Sequence, residues 1–291
     1  MDILYKGVAF NGKISVTVIE ATQMVNEAIK IHNLSPLAAA ALGRTLIAST
    51  FMASTLKSEG DRLSVTLNGN GVGGHIVVAG DSNLNMRGYI DNPQCELPLN
   101  SKGKLDVAGC VGQGRLTVVK SMGLKDPYTG SCNIESGEIA EDFAAYYTFS
   151  EQQPTGMALG VKIGTDLNCV GAGGVIFQTL PDADDDSIEK AEQLLYSLTD
   201  ISSIIQNEGA KTFVERAFDD YTFETFKPRY NCICSNEYIS GMLITLGAKE
   251  LYDTVEKQGK IEVHCHFCNK DYVYYKEDID SLILNSINKK G

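Results

Sequence analysis

The chain has little positive charge and little cysteine. Its 291 residues include 25 lysines and arginines against 37 aspartates and glutamates, which gives a net charge of −12. A protein that binds nucleic acid or an anionic membrane needs a basic face, so this balance argues against both partners. Eight cysteines are too few for a secreted disulfide scaffold. The composition is that of a soluble globular protein long enough for one large domain and a smaller one.

Segments for export or membrane insertion are also missing. The first ten residues, MDILYKGVAF, place Asp2 where a signal peptide has its basic and apolar regions, so we expect no signal peptide. The most apolar stretch, 37–56, contains Arg44 and several small polar residues, which favours a buried helix over a membrane span. We therefore expect a cytoplasmic protein without a membrane partner. Clustered cysteines in that reducing compartment more often bind metal or carry out redox chemistry than form structural disulfides.

Signatures of nucleotide binding and of hydrolysis are absent as well. The glycine-rich segment 69–74 precedes His75 but lacks the Lys-Ser/Thr pair of a phosphate loop, and we predict a hairpin connection there. No Ser/His/Asp set and no carboxylate pair stands out along the chain. The sequence therefore predicts no nucleotide partner, and it shows no motif of a hydrolase.

The first 180 residues alternate between strand and helix patterns. Thr22 can cap one helix, and Ser35-Pro36 is an N-cap followed by proline at the first helical position of another, which we expect to run through Leu56. Alternating apolar and polar residues predict strands at 14–18, 63–67, 76–79, 86–90, 116–119, 157–163 and 175–180. Strands outnumber helices and short turns join them. The pattern favours an α+β fold, with residues 1–180 forming a large, mainly antiparallel sheet domain.

The segment 181–229 has a different texture and is predicted to be a helical linker. It opens with the acidic run 182–187, in which Asp186 can cap a helix together with Glu189. A second helix is predicted from Ala210 to Asp219, and 223–228 resembles a hinge. These amphipathic helices are too short to enclose a large core, so we expect them either to pack on another part of the protein or to be only marginally stable.

The last segment, 230–291, carries two tight cysteine pairs. Cys232 and Cys234 form the first pair, and thirty residues separate Cys234 from Cys265 in the run His264-Cys265-His266-Phe267-Cys268. Two cysteine pairs joined by a loop are what a tetrahedral four-cysteine zinc site requires. A module of about 60 residues is near the size at which a fold needs such a cross-link. We predict one zinc ion bound by Cys232, Cys234, Cys265 and Cys268, which would supply folding free energy to this small domain.

The residues alone leave three interpretations of this cluster open. Closed four-cysteine sites are usually structural, which favours a zinc-ribbon adaptor. A redox switch is the second, because an oxidised thiolate can be resolved by its neighbour, as in Cys232–Cys234 or Cys265–Cys268. The third, a thiol oxidoreductase acting through Cys265 and Cys268, lacks the strand–helix surroundings of such motifs. Each remaining cysteine stands alone and is predicted to be a buried apolar residue without a role: Cys95, Cys110, Cys132 and Cys169.

Several motifs, taken together over essentially the whole chain, resemble the 33 kDa chaperonin (heat-shock protein 33) family. The C-terminal ones are Cys232-x-Cys234-Ser235, Cys265-x-x-Cys268, Leu246-Gly247 and Glu250-Leu251. The N-terminal ones are Ala41-Leu42-Gly43-Arg44-Thr45, Gly103-Lys104-Leu105-Asp106-Val107, Tyr128-Thr129-Gly130, Ser136-Gly137-Glu138-Ile139-Ala140-Glu141-Asp142 and Ala172-Gly173-Gly174.

The resemblance implies a redox-regulated, ATP-independent holdase chaperone of the oxidative stress response. In the reduced state it implies an inactive protein with one Zn²⁺ on Cys232, Cys234, Cys265 and Cys268. In the oxidised state it implies the disulfides Cys232–Cys234 and Cys265–Cys268, zinc release, an unfolded linker, a homodimer and binding of unfolding client proteins. The zinc-ribbon adaptor without redox switching is the alternative.

Overall fold

The computed structural model describes residues 1–218 and 222–288. It divides into two compact units, Met1–Asn231 and Cys232–Gly291. Unit 1 therefore contains both the predicted sheet domain and the segment 181–229. Unit 2 contains both cysteine pairs.

Unit 1 is built on two sheets, and the first has five antiparallel strands in the order β10-β1-β2-β9-β8. Their bounds are β1 Ile3–Ala9, β2 Ile14–Glu20, β8 Thr155–Ile163, β9 Cys169–Thr179 and β10 Thr222–Phe226. Strand β2 buries Ile14, Val16 and Val18 as predicted, but Thr17 and Ile19 on its other face are buried as well, so the strand is covered on both faces. Strand β10 pairs with β1 along its whole length, so most of the predicted hinge 223–228 is a strand.

The second sheet of unit 1 has six strands in the order β11-β5-β4-β3-β6-β7. Their bounds are β3 Arg62–Gly69, β4 Ile76–Asp81, β5 Asn85–Ile90, β6 Gly114–Ser121, β7 Tyr128–Ile134 and β11 Arg229–Tyr230. All pairs are antiparallel except β11 with β5. The glycine-rich segment 69–74 joins β3 to β4, which confirms the predicted hairpin connection.

Helix α2, Pro36–Ala53, packs against strands of both sheets and lies in the main core. The Oγ atom of Ser35 accepts a hydrogen bond from the Ala38 amide at 3.2 Å, which confirms the predicted N-cap. The helix ends at Ala53 rather than Leu56, because the hydroxyls of Ser54 and Thr55 donate to carbonyls of its last turn.

Within the described part of the chain, α2 alone has the length and hydropathy of a membrane span. Of that stretch, 89% is buried inside the protein. Burial of this extent is typical of a core helix, and the long run of small residues lets backbone and strands approach closely.

Helix α1, Thr22–His32, is capped by a residue far away in the sequence. The predicted cap, Thr22, instead accepts a hydrogen bond from the Ala172 amide at 3.1 Å. The carboxylate of Asp2 accepts bonds from the amides of Gln23 and Met24 at 2.9 and 2.7 Å. The prediction of a local cap is wrong here because the chain returns Asp2 to the helix start through β1 and β2.

Two helices of the segment 181–229 cover one face of the first sheet and form a second apolar core with it. Helix α5 spans Asp185–Ser197, and its cap is Asp184, which accepts from the Ser187 amide at 2.8 Å, rather than Asp186. Helix α6 spans Ile201–Ala217, so it starts before the predicted Ala210. The predicted end at Asp219 lies outside the described residues.

A kink at Gly209 divides α6 into two pieces. Its φ of 73° is left-handed, a conformation that glycine adopts without strain. The amide of Ala210, at the start of the second piece, donates to Glu20 Oε2 at 2.9 Å. The second piece therefore begins with its own cap, which agrees with the separate helical pattern in the sequence.

Unit 1 also contains two short helices, α3 Val107–Val111 and α4 Ala140–Tyr146, and a π-helical turn follows α4 at Tyr147–Glu151. Unit 2 consists of α7 Asn236–Leu246, α8 Ala248–Gln258, β12 Ile261–Cys265, β13 Lys270–Tyr274 and α9 Lys276–Asn288. Strands β12 and β13 form an antiparallel hairpin. The small core of unit 2 contains the buried residues Ile239, Leu243, Leu251, Val255, Ile261, Tyr274 and Ile279.

Candidate metal centre

The four cysteines of unit 2 meet at one point. Their Sγ atoms all lie within 4.8 Å of one another, and all four residues are half-buried. The distances are 3.3 Å from Cys232 to Cys234, 3.7 Å from Cys232 to Cys265 and 3.1 Å from Cys234 to Cys268. The structure thus brings together the four residues that the sequence singled out as zinc ligands.

Two local structures hold the sulfurs in place. Cys232 and Cys234 precede α7, whose N-cap Ser235 accepts a hydrogen bond from the Tyr238 amide at 3.1 Å. Cys265 ends β12, and its carbonyl accepts from the amides of Cys268 and Asn269 in the turn to β13. This turn points both sulfurs of the second pair toward the first pair, because the intervening residues wrap around one backbone carbonyl.

Hydrogen bonding makes the four thiols unequal. Burial raises the pKa of Cys234, but hydrogen bonds from Tyr272, Cys268 and Cys232 outweigh it and lower the pKa to about 7. The hydroxyl of Tyr272 lies 3.2 Å from this sulfur. Burial raises the pKa of Cys232 to about 11. Burial also raises the pKa of Cys268, and its hydrogen bond to Cys234 adds to this shift. Cys234 therefore loses its proton more readily than Cys232 or Cys268.

The cluster fits a divalent ion that prefers sulfur. With Zn–S bonds of about 2.3 Å, a tetrahedral site has sulfur–sulfur edges of roughly 3.8 Å. The measured distances of 3.1 to 3.7 Å need only small expansion to reach that size. A cation in the centre would replace the protons that the thiols now share, since only thiolates coordinate metal.

The flanking histidines lie beside the cysteine cluster and are not among its candidate ligands. His264 Nδ1 lies 2.6 Å from the carboxylate of Asp271, and the rings of His264 and His266 are 5.1 Å apart. Over the described residues, the group able to hold a metal comprises the four cysteines and no histidine.

Sequence reasoning missed two features near cysteines. The hydroxyl of Tyr272 contacts Cys234 because the register of the β12–β13 hairpin brings Tyr272 next to the cysteine cluster. The spacing of residues in the sequence does not reveal this contact. In unit 1, Cys95 and Cys110 were expected to stand alone, yet their sulfurs are 3.6 Å apart. Cys169 is buried as expected, whereas Cys132 is only half-buried, and burial raises the pKa of each thiol to about 11.

The architecture and the sulfur cluster can be compared with known proteins. A family model described as Hsp33 protein matches residues 2–275. The chain belongs to the Hsp33 family. The family resemblance seen in the sequence motifs is thereby confirmed, and with it the membership in a class of molecular chaperones.

Relatives cover the chain from end to end. The 33 kDa chaperonin of Acetivibrio thermocellus is 42% identical over 286 residues, 97% of each chain. That of Clostridium botulinum (strain Langeland) is 40% identical over 297 residues, 99% of each chain. The crystal structure of the 33 kDa chaperonin (heat shock protein 33 homolog) of Thermotoga maritima matches with a TM-score of 0.86 and 36% identity, covering 98% of this chain and 99% of that one. The α+β fold class expected from the sequence is confirmed.

Proposed function

We propose that this chain is a redox-regulated, ATP-independent chaperone that holds unfolding proteins under oxidative stress. The observation that carries the proposal is the cluster of four sulfurs within 4.8 Å in a Hsp33-family chain. In the reduced state, Cys232, Cys234, Cys265 and Cys268 hold one Zn²⁺ and the protein is inactive. The cytoplasm is the proposed compartment, because its thiol pool can return oxidised cysteines to this state.

A bound zinc ion would supply a cross-link between the chain before α7 and the β12–β13 turn. Unit 2 would need such a link because its core has only seven buried apolar residues among those described, far fewer than the main core of unit 1. The thiolates that hold the ion are also its weak point, since oxidised sulfur no longer offers a thiolate ligand.

Oxidation removes the ligands in pairs. In each pair, two thiolates would pass two electrons to one molecule of hydrogen peroxide, which takes up two protons from the solvent. A sulfur–sulfur bond forms, the oxygen–oxygen bond breaks, and two molecules of water leave. We propose the pairs Cys232–Cys234 and Cys265–Cys268, after which unit 2 loses its cross-link and unfolds.

Clients would bind the face of the first sheet that the helices of the segment 181–229 cover. Helices α5 and α6 cover an apolar face of the first sheet, including Val16, Val18 and Val175, which are fully buried. If this segment acts as a metastable linker and detaches, that face becomes available to the apolar side chains of an unfolding protein. A homodimer in the active state would cover part of the same face, and the acidic surface would keep client complexes in solution.

The decisive experiment measures chaperone activity and zinc together. Suppression of thermal aggregation of a model client is followed before and after treatment with hydrogen peroxide, while a colorimetric chelator records zinc release. We expect suppression to appear only after oxidation, in step with the loss of one zinc per chain. Zinc retention at full thiol oxidation, or equal activity in both states, would instead support a constitutive zinc-ribbon adaptor.

Peptide mapping tests the pairing. Trypsin places Cys232 and Cys234 in the peptide 230–249, and Cys265 and Cys268 in the peptide 261–270. Local disulfides leave the two peptides separate, each lighter by two hydrogens. The short distances from Cys234 to Cys268 and from Cys232 to Cys265 also permit cross-links, which would join the peptides and refute the proposed pairing.

Single substitutions test the ligand set. Cys265→Ser should abolish stoichiometric zinc binding and lower the melting temperature of unit 2, because a serine hydroxyl is a poor zinc ligand. Cys132→Ser in unit 1 is the matched control and should keep one zinc per chain. A Cys265→Ser protein with unaltered zinc affinity would remove this residue from the site.

A further inference from the structure

The glycine-rich hairpin connection 69–74 holds two cysteines of unit 1 against each other. Cys110 lies in α3 and Cys95 in the irregular segment that follows β5. Their sulfurs are 3.6 Å apart, and the residues are 0% and 3% exposed, respectively. The pair is separate from the four-cysteine cluster, which lies in the other unit.

Gly73 positions both partners. Its amide donates to the Cys110 carbonyl at 2.9 Å, and its carbonyl accepts from the Asn92 amide at 3.0 Å, three residues before Cys95. A Cβ atom at Gly73 would stand 2.7 Å from Cys110 Sγ. Glycine is therefore the residue that leaves room for this sulfur, so the connection serves the cysteine pair rather than a phosphate.

Cys95 is also anchored from the other side. The hydroxyl of Ser35, the cap of α2, donates to the Cys95 carbonyl at 2.6 Å, and the Ser35 amide donates to the Pro93 carbonyl at 2.8 Å. The segment 91–106 itself contains no helix or strand. Closing the pair from 3.6 Å to a disulfide bond of about 2.0 Å requires a movement of roughly 1.6 Å.

We propose that Cys95 and Cys110 form a second thiol switch, which peroxide converts to a disulfide within folded unit 1. The Cys95 thiolate attacks one oxygen of hydrogen peroxide, the oxygen–oxygen bond breaks, and the departing hydroxide takes up a proton to become water. Cys110 then attacks the sulfenic sulfur of Cys95, the sulfur–oxygen bond breaks, and the second hydroxide leaves as water with the Cys110 proton. Two thiols and one peroxide thus give one disulfide and two waters.

The roles within the pair follow from its asymmetry. The hydrogen bond from Cys110 lowers the pKa of Cys95, whereas that same bond and complete burial raise the pKa of Cys110. Cys95 also keeps some exposed surface, and Cys110 keeps none. Cys95 is therefore the attacking residue and Cys110 the resolving one.

The disulfide would close the loop 96–109 at its base. This loop contains Leu99, which is 60% exposed, and closing it removes conformational freedom from the unfolded chain. The expected consequence is a higher melting temperature of unit 1 under oxidising conditions. The effect has the opposite sign to the loss of structure proposed for unit 2, and it does not depend on that proposal.

Trypsin provides a direct test with the full-length protein. Cleavage after Lys102 and Lys104 places Cys95 in the peptide 88–102 and Cys110 in the peptide 105–115. After peroxide treatment of the native chain we expect these peptides to remain joined, with alkylation lost at both cysteines together. Cys132→Ser, the matched control, should give the same joined product.

Two further measurements decide the outcome. Cys110→Ser should leave Cys95 as a sulfenic acid that dimedone traps, because its resolving partner is gone, while Cys95→Ser should leave Cys110 without a dimedone adduct. The proposal is overturned if both peptides stay alkylated when the thiols of unit 2 are fully oxidised. It is equally overturned if the joined product forms only in urea, where any two of the cysteines can meet.

Discussion

Single residues of this chain act through partners that are distant in the sequence. Asp2 shows this most clearly, because its carboxylate is buried and caps α1 through the amides of Gln23 and Met24. Burial raises the pKa of Asp2 from 3.8 to about 6, although the two hydrogen bonds oppose the shift. A cap of this kind is linked to pH.

Asp2→Asn should change how stability depends on pH. Because the folded pKa of Asp2 exceeds the unfolded value, the folded state retains a proton between pH 3.8 and about 6 that the unfolded chain releases. A stabilisation of roughly 3 kcal/mol is thus complete below pH 3.8 and lost as the pH rises through about 6. Asparagine keeps the acceptor oxygen but does not titrate, so this slope should vanish.

Urea unfolding of unit 1, followed from pH 3.5 to 7, measures the effect. Asp126→Asn replaces an exposed carboxylate and serves as the control. Identical slopes for the parent and the Asp2→Asn protein would contradict the role of Asp2 as a buried, titrating cap.

At the scale of elements, two helical glycines differ in whether the fold requires glycine at their position. Gly209 in α6 has a φ of 73° and marks the kink that lets Glu20 cap the second piece. Gly241 lies inside α7, where a Cβ atom would meet nothing within 4 Å. The first position requires glycine for its backbone conformation, and the second does not.

Alanine substitutions should therefore act in opposite directions. Gly209→Ala forces a side chain into a left-handed conformation and should destabilise unit 1 by about 1–2 kcal/mol. Gly241→Ala restricts only the unfolded chain and should stabilise unit 2 by about 0.5–1 kcal/mol. Denaturant unfolding of each variant measures both values. Stabilisation by Gly209→Ala would show that the kink is not required in the folded state.

On the scale of the whole molecule, the two units differ in how they are stabilised. The main core of unit 1 includes nearly all of helix α2 and residues of both sheets. Unit 2 has its small core and the four-sulfur cluster. Its folded state should thus depend on metal far more than that of unit 1.

Removal of the zinc ion proposed for the four-cysteine cluster should unfold unit 2 selectively. Hydrogen exchange followed by mass spectrometry, with and without a strong chelator, is expected to show protection lost in α7, α8 and the β12–β13 hairpin. The central strands β3 and β6 of unit 1 should keep their protection. Full protection of unit 2 without metal would mean that its apolar core suffices for folding.

Local patterns in the sequence determined much of this protein. The alternation at 14–18 and 63–67, the Ser35-Pro36 start of α2 and the two cysteine pairs were all readable, because each depends on neighbours within a few residues. Strand alternation and helix caps follow from backbone geometry, and cysteine spacing follows from the size of a metal site.

Only the tertiary structure decided which distant segments meet. It brought Asp2 to α1, Cys95 to Cys110 and Tyr272 to Cys234, and it made a strand of 222–226, which the sequence predicted to be largely a hinge. Each of these contacts depends on sheet order and strand register. Those are set by the total burial of apolar surface across the chain, so no short stretch of sequence contains them.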